Sequence, residues 1–262
     1  MSRSEVVRVA RSAGDILRAH YGTLSRANAA YKEGERRNLV SQADLEAERH
    51  LLSCIPEKDD VLSEEGNSRD RGAARKWVID PLDGTVNFLH RIPFWAVSVA
   101  LIEDGALVAG AVHAPVLDET FSAGAGEGAF LNDERIRVSG TAELGDAILA
   151  TGFAYGRDTL PDRNVDNFST LVLASAGIRR MGAAAIDLAY VACGRLDGFW
   201  ELHLNAWDVA AGILLVREAG GRVTDFLGGD ALDSLLFSRH ILATNGPIHA
   251  SVKMRLAPLK AL

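Results

Sequence analysis

The chain has 262 residues, 48% of them apolar and 24% charged, which is ordinary for a folded globular protein with one large core or two packed ones. The formal net charge of −7 argues against a nucleic-acid-binding surface as the dominant feature, although it leaves room for a local basic patch. Only Cys54 and Cys193 are present, far apart, so a disulfide framework is disfavoured and a reducing, cytoplasmic setting is expected.

The N-terminal residues predict an amphipathic helix rather than a signal peptide. Apolar residues such as Val6, Val9 and Leu17 alternate with charged ones up to about Tyr21, and Gly22 is typical of a helix end. Residues 31–38 are charged and poor in apolar side chains, which indicates an exposed loop. The longest apolar stretches are too short to span a bilayer, so no membrane association is expected.

A second helix is predicted to begin at a capping pair, Ser41 and Asp44. Its buried side is predicted to carry four apolar residues: Leu45, Leu51, Leu52 and Ile55. Two strands follow, over residues 60–63 and 76–79, and both end at acidic residues. Residues 94–130 form short apolar runs broken by turn residues, which predicts an antiparallel meander.

The second half alternates between the two kinds of element. Strands are predicted over residues 148–151, 178–180, 197–200 and 241–244, and helices over 165–176, 183–192, 206–219 and the tail. The sequence turns polar and glycine-containing around residues 135–145. We therefore predict an N-terminal α+β half over residues 1–140 and a C-terminal α/β half over residues 141–262.

The segment Asp-Pro-Leu-Asp-Gly-Thr, residues 80–85, is the most informative in the chain. Asp80 and Asp83 aim two carboxylates at one region, which favours a hard cation such as Mg²⁺ between them. Gly84 and Thr85 would open a helical turn whose backbone N–H groups bind anions such as phosphate. Together these features suggest metal-assisted phosphoryl chemistry, although an isolated Asp-x-x-Asp is common in surface turns.

Two further acidic groups stand elsewhere in the chain. Glu64-Glu65 follows the first of the two strands, and Asp208 lies at the start of an apolar helix. Each has a simpler interpretation: the glutamates suit a solvated turn, and Asp208 suits a helix-capping carboxylate. Taken one at a time, neither position identifies a site.

Taken together, the motifs resemble those of the inositol monophosphatases, which are Mg²⁺-dependent, lithium-sensitive phosphatases. The resemblance runs in order over nearly the whole chain, and its parts are Glu64-Glu65, residues 80–85, Asn87-Phe-Leu-His90, Trp207-Asp208-Val-Ala-Ala-Gly212 and Glu218-Ala-Gly-Gly221. Residues 187–192 and 194–201 are most similar to the bacterial branch. The resemblance implies a layered α/β/α/β/α sandwich with its site in the cleft between the halves, and a homodimer.

The resemblance also implies roles for individual residues. Two Mg²⁺ ions, with a third in some relatives, would be held by oxygen ligands: Glu64, Asp80 and the Leu82 carbonyl for the first ion, and Asp80, Asp83 and Asp208 for the second. This arrangement is physically reasonable, because two ions about 4 Å apart can clamp the attacking and leaving oxygens of an in-line displacement. The backbone amides of Gly84 and Thr85 would hold the phosphate.

The same resemblance assigns water activation to Thr85, supported by Asp44 and acting with Glu64. A threonine hydroxyl needs an acceptor to orient it, and a carboxylate can supply one. The alternative for Asp44 is a carboxylate that stabilises the start of its helix through the helix dipole. The two roles are compatible with each other.

The same resemblance implies that Glu201 binds a hydroxyl on the organic part of the substrate. The Ala184 backbone and Asp83 would contact that part of the substrate as well. Three departures from the family pattern concern the surrounding loops: Asn38 replaces a common Asp, Lys32 aligns with the loop lysine only with a one-residue offset, and Gly182-Ala183 replaces Gly-Ser. The first two weaken the case for loop closure and for a third Mg²⁺.

The expected reaction is hydrolysis of inositol 1-phosphate or a similar small polyol phosphate by metal-activated water. Glu201 and the absence of nearby basic residues in the sequence favour a single phosphate over a bisphosphate. Fructose-1,6-bisphosphate, histidinol phosphate, nucleotide 3′-phosphates and NADP remain alternative substrates, because the metal motif does not separate them. A non-catalytic accessory role with transcription or RNA-processing proteins is the alternative of a different class, with a protein partner and no direct nucleic-acid contact.

Overall fold

The structure is a computed structural model that describes residues 3–25, 27, 29–31 and 39–257. Within these residues, layers of helices alternate with β-sheets, giving five layers. The helices are α1 (Arg3–His20), α2 (Gln42–Cys54), α3 (Thr85–Leu89), α4 (Val165–Ala174), α5 (Ala184–Ala192), α6 (Ala206–Glu218), α7 (Leu232–Phe237) and α8 (His249–Lys253).

The strands form one large sheet, one smaller sheet and a short pair. The strands are β1 (Ala30–Tyr31), β2 (Leu39–Val40), β3 (Asp60–Ser63), β4 (Arg75–Asp83), β5 (Ala96–Glu103), β6 (Ala106–Ala114), β7 (Glu119–Gly124), β8 (Gly128–Leu131), β9 (Glu134–Ile136), β10 (Ile148–Thr151), β11 (Gly177–Arg179), β12 (Gly198–Leu202), β13 (Arg222–Thr224) and β14 (His240–Thr244). The seven-stranded sheet has the order β3-β4-β5-β6-β7-β8-β9, the five-stranded sheet has the order β11-β10-β12-β14-β13, and β1 pairs with β2.

Alternating side chains along the strands divide the apolar core into three clusters. In β4, Trp77 packs outward with α1 and α2, whereas Val78 packs inward with α5 and α6. In β12, Phe199 joins the same central cluster and Trp200 packs on the other side, with α4 and α8. The layers are therefore α1/α2, the large sheet, α5/α6, the small sheet and α4/α8, which confirms the predicted layered sandwich.

Most predicted elements are present, with several short ones missed and one error of burial. The antiparallel meander predicted over residues 94–130 is confirmed by the ladder from β5 to β8, and β9 extends it. The short elements β1, β2, β9, β13 and α7 were not predicted. Leu45 was predicted to be buried, but 44% of it is exposed, and the buried side of α2 instead carries two small residues, two carboxylates and one leucine: Ala43, Asp44, Ala47, Glu48 and Leu51.

Several sequence predictions concern positions that the structure does not describe. The loop over residues 31–38 lies outside the described residues apart from Tyr31, and so do Lys32 and Asn38. The proposed division at about residue 140 stays a prediction, although the large sheet ends at β9 and the small sheet begins at β10. Among the described helices, none is long and apolar enough to cross a membrane.

Candidate active site

A β-bulge at the end of β4 brings Asp80 and Asp83 to the same face of the large sheet. Asp80 pairs with Ser98 and Asp83 pairs with Ala96, so three residue steps on β4 match two on β5. Without this extra residue, two side chains three positions apart would point to opposite faces. Pro81 lacks the N–H that a regular ladder needs, which explains why the pairing breaks here.

The end of the neighbouring strand supplies Glu64. Strands β3 and β4 are parallel, with Ser63 opposite Ile79, so the residues that follow each partner emerge at the same edge of the sheet. Glu64 and Asp80 are those residues. The parallel pairing of two short strands therefore brings together acidic residues that lie 16 positions apart in the sequence.

The fourth carboxylate, Asp208, comes from the start of α6. Asn205 is the N-cap, and its backbone N–H donates to Asp208 Oδ2 at 2.7 Å in a capping box. One carboxylate oxygen is thus used by the helix end, and the side chain still lines the cavity described below. The capping interpretation and the site interpretation of Asp208 are both compatible with this geometry.

A cavity of about 680 Å³ collects nearly all of the residues named from the sequence. The named residues that line it are Glu64, Asp80, Leu82, Asp83, Gly84, Thr85, Ala184, Glu201 and Asp208. Asp44 is the exception: it lies behind Thr85 and contacts it through a hydrogen bond. The cavity lies between the two sheets. The ends of β3 and β4 form one wall, and the ends of β10 and β12 form the other.

Burial and nearby negative charge raise the pKa values of three of these aspartates, Asp80, Asp83 and Asp208. Burial raises the pKa of Asp83 to about 7, with Glu64 adding to the effect. Burial, followed by the charge of Glu64, also raises the pKa values of Asp80 and Asp208 well above their usual range. A cation in the cavity would favour the ionised forms and would relieve the repulsion.

The donor set fits a hard divalent cation, although the ligands are not already drawn together. All the candidate donors are oxygens, which suits Mg²⁺. In the part of the chain that the structure describes, no three His, Cys, Asp or Glu side chains form a ready-made metal cluster.

Thr85 and Asp44 form a buried hydrogen-bonded pair at the cavity wall. The Thr85 hydroxyl donates to Asp44 Oδ1 at 2.9 Å and also lies 3.1 Å from the Leu82 carbonyl oxygen. The other Asp44 oxygen accepts from the backbone N–H of Ser41 at 2.9 Å, which confirms the predicted capping pair. Burial, partly offset by these hydrogen bonds, raises the pKa of Asp44 to about 6.

The turn after Asp83 has the shape of an anion cradle. Gly84 has φ +91°, a left-handed conformation that favours glycine, and a Cβ there would lie 3.0 Å from the Phe94 carbonyl oxygen. The first intrahelical bond of α3 runs from Phe88 N–H to Gly84 O at 2.9 Å, so the preceding amides stand at the unpaired end of the helix. Asp83 itself accepts from the Ala185 N–H at 2.7 Å and thereby caps α5.

Glu201 projects from β12 into the opposite wall of the cavity. It is 9% exposed, and a Cβ on Gly152 would lie 2.1 Å from one of its carboxylate oxygens, so the two residues are in close contact. Burial raises the pKa of Glu201 to about 8, while the positive charge of Arg180 opposes this shift. Glu201 is therefore poised to share a proton or a hydrogen bond with a polar ligand.

The cavity is also lined by residues to which the sequence assigned no site role, among them Tyr155, Arg239 and Arg180, the last interpreted from the sequence mainly as structural. Burial and the nearby carboxylates, Glu64 first, raise the pKa of Tyr155 above its usual range. The expectation that no basic residue lies near Glu201 is wrong, because Arg180 and Arg239 line the same cavity. These arginines lie 21 and 38 positions from Glu201 in the sequence, so only the fold brings them to the same cavity.

Comparisons with known proteins agree with this architecture. The inositol monophosphatase family matches residues 3–259. An inositol-1-monophosphatase from Mesorhizobium japonicum is 43% identical over 235 residues, 87% of each chain. Nus factor SuhB from Pseudomonas aeruginosa is 44% identical over 250 residues, 91% of this chain and 89% of the relative. The crystal structure of extragenic suppressor protein suhB from Bartonella henselae has a TM-score of 0.87 at 42% identity, covering 96% of both chains.

The layered fold, the family match and relatives named inositol-1-monophosphatase place the chain in the class of phosphatases acting on phosphorylated substrates. The match over nearly the whole chain and the identities above 40% then identify the family. The chain belongs to the inositol monophosphatase family, as the sequence motifs predicted.

Proposed function

We propose that the protein is a Mg²⁺-dependent phosphatase that hydrolyses inositol 1-phosphate or a closely similar small polyol phosphate. The observation that carries this proposal is the cavity lined by Glu64, Asp80, Asp83 and Asp208, with an anion cradle at Gly84 and Thr85 on its wall. Carboxylates that burial disfavours as anions suit a divalent cation, and the cradle suits a phosphate.

The residues proposed to hold two Mg²⁺ ions all offer oxygen: Glu64, Asp80, the Leu82 carbonyl, Asp83 and Asp208. When bound, the ions would supply the positive charge that lowers the pKa of the attacking water and stabilises the leaving oxygen. Asp83 and Asp208 each use one oxygen for a backbone N–H, which fixes the direction of the other. This orientation by a second hydrogen bond is common among metal ligands.

Thr85, Asp44 and Glu64 are proposed to prepare the attacking water. The Thr85 hydroxyl donates a hydrogen bond to Asp44, so the lone pairs on its oxygen remain available to accept a hydrogen bond from water. A proton taken from water at Thr85 can pass on to Asp44, whose raised pKa of about 6 makes it a better base than an ordinary aspartate. Glu64 would hold the water from the other side.

The choice of a polyol rests on Glu201. A buried carboxyl left without a partner penalises a substrate that lacks the matching hydroxyl. Because Arg180 and Arg239 also line the cavity, bisphosphates and nucleotide or NADP phosphates are included in the test, together with histidinol phosphate. A preference of about 100-fold in kcat/KM for a bisphosphate over inositol 1-phosphate would contradict the polyol proposal.

The first experiment measures phosphate release from inositol 1-phosphate with and without Mg²⁺, for the native chain and for Asp83→Asn. An amide keeps the oxygen that caps α5 but removes the charge, so folding should persist while turnover falls by more than about 100-fold, which exceeds the usual effect of removing a hydrogen-bond partner of a metal ligand. Asp104→Asn, in the turn between β5 and β6, is the matched control and should match the native rate. Equal turnover of Asp83→Asn and the native chain would contradict the proposed metal site.

A second candidate is a non-catalytic role with a protein partner, because one relative at 44% identity is named Nus factor SuhB. Binding of a transcription or RNA-processing partner should then survive Asp83→Asn unchanged. A homodimer and sensitivity to lithium are further properties that we propose from the family; size-exclusion chromatography and inhibition by Li⁺ would test them.

A further inference from the structure

The turn that carries Glu64 is held by a buried carboxylate on a different element. Glu48 lies on α2 and none of its surface is exposed. One of its carboxylate oxygens accepts from the Ser63 hydroxyl, and the other accepts from the Asn67 side-chain amide. Ser63 and Asn67 stand on either side of Glu64, so a single carboxylate bridges the two ends of the turn.

Other contacts fix the shape of the same turn and its place beside β4. Val61 and Arg69 exchange two backbone hydrogen bonds of 2.8 and 2.9 Å, and the Ser63 N–H donates to the Ser68 hydroxyl at 3.0 Å. The parallel pairing of Ser63 with Ile79 sets the start of the turn next to β4. The Glu48 bridge adds a connection between the turn and α2.

Glu48 and Asp44 lie four residues apart on α2 and therefore share one face of the helix, with neighbouring side chains. Asp44 orients Thr85, and Glu48 holds the turn of Glu64. One turn of α2 thus connects Thr85 and Glu64, the two groups proposed to flank the attacking water.

We propose that Glu48 is a positioning residue, which acts through Ser63 and Asn67 to set the place of Glu64 relative to Thr85. This inference rests on the proposed function, in which Glu64 and Thr85 prepare the attacking water. Glu48 is not among the cavity-lining residues, so its effect is on the geometry of the site and not on contact with substrate.

Three variants separate this role from a general loss of stability. Glu48→Ala removes both acceptors, whereas Glu48→Gln keeps one acceptor oxygen and can satisfy the other partner if the Asn67 amide turns over. Asn67→Ala removes one end of the bridge at an exposed position and leaves α2 unchanged. Glu46→Ala is the control on the same helix, because the Glu46 carboxylate hydrogen-bonds to His20 and Gln42 rather than to Ser63 or Asn67.

The measurements are kcat and KM for inositol 1-phosphate and the Mg²⁺-dependent rise in melting temperature without substrate. We expect Glu48→Ala to lower kcat about 10- to 100-fold and to shift the Mg²⁺ midpoint of the melting rise upward by a similar factor, with KM changed less than about 3-fold. Asn67→Ala should act in the same direction and less strongly, and Glu48→Gln should restore most of the activity.

Native kcat and a native Mg²⁺ midpoint in Asn67→Ala and in Glu48→Ala would overturn the inference while the proposed function stood. If Glu48→Ala does not fold, Asn67→Ala alone decides between the two results. A native chain without Mg²⁺-dependent turnover would instead overturn the proposed function, so the two failures are distinguishable.

Discussion

At the scale of residues, the same aspartates serve local structure and the site together. Asp44 and Asp208 each occupy the third position of a helix and close a capping box with one oxygen. The second oxygen of Asp44 contacts Thr85, and Asp208 lines the cavity. The cap holds each side chain in one orientation, so little rotamer entropy remains to be lost when a ligand binds. A capping role and a site role are therefore not alternatives at these positions.

The contact between Gly152 and Glu201 gives a prediction about substrate choice. A methyl group at Gly152 would overlap the Glu201 carboxylate, at 2.1 to 2.3 Å, so Gly152→Ala should displace that side chain. Loss of the partner of a buried polar group costs about 1–3 kcal/mol, so KM for inositol 1-phosphate should rise roughly 5-fold or more. Steady-state kinetics would measure this change.

A simpler substrate and a matched glycine provide the controls for that prediction. An aryl phosphate without a polyol ring should show little change in KM, because it has no hydroxyl for Glu201. Gly156→Ala lies in the same loop, and its Cβ would make only ordinary contacts of 3.8 and 3.9 Å. An equal rise in KM for both substrates, or in both variants, would contradict the role given to Glu201.

At the scale of elements, α6 is the helix that joins the two sheets. It packs on the large sheet, where a Cβ on Gly110 would lie 3.1 Å from Ala211 Cα, and it packs against α5, where Gly212 meets Leu188. Small residues allow these close approaches. Since Asp208 begins α6 and Asp83 caps α5, the depth of this packing also sets the spacing of two proposed metal ligands.

Gly212→Ala should destabilise the protein, although alanine favours a helix. The new Cβ would lie 2.6 Å from Leu188 Cβ, a contact that no rotamer of Leu188 relieves. Overpacking of this kind costs about 1–3 kcal/mol, which outweighs the gain of up to about 1 kcal/mol from helix propensity. Urea denaturation would measure the difference in the free energy of unfolding.

The control for this prediction is the same substitution in open space. A Cβ on Gly145 would have no neighbour within 4 Å, and the residue does not adopt a positive φ. Gly145→Ala should leave stability unchanged or raise it by up to about 1 kcal/mol. If both variants shift stability in the same direction, close packing at Gly212 is not what selects glycine there.

At the scale of the whole molecule, stability should depend on pH through groups that the layers bury. His113 lies on β6 with its ring against Gly14 of α1, and its Nδ1 is 2.9 Å from the Thr120 hydroxyl oxygen. Burial, aided by the charge of Arg11, lowers the pKa of His113 to about 4. The folded protein therefore holds this imidazole neutral, whereas the unfolded chain takes up a proton near pH 6.5.

The sign of the pH effect follows from this difference. The unfolded state binds the additional proton, so the free energy of unfolding should fall as the pH drops from about 6.5 to about 4, by at most about 3 kcal/mol from His113. His113→Gln removes the titration and should flatten the profile by that amount. Urea denaturation at pH 7, 5.5 and 4 would test it, and parallel profiles for the two chains would refute it.

Much of the fold could be predicted because local patterns agree with the final structure. The strand segments of β4 and β12, the capping pair Ser41 and Asp44 and the meander over residues 94–130 are all visible in the chain. The burial of α2 was misjudged at Leu45, because the choice of buried face depends on the partner and not on the helix itself. The short elements β13 and α7 carry too few residues for a periodic signal.

The sequence by itself determined the family, the order of most elements and the acidic residues of the site, because these depend on local patterns and on motifs in a fixed order. The tertiary structure decided which of those acidic residues lie on the same side of a sheet and which other side chains join them in the cavity. The bulge after Asp80 turns Asp83 to the same side, the parallel pairing of β3 and β4 brings Glu64 to that edge, and the return of the chain brings Arg180 to Glu201's cavity. Such proximities arise from packing between distant segments, which no local pattern records.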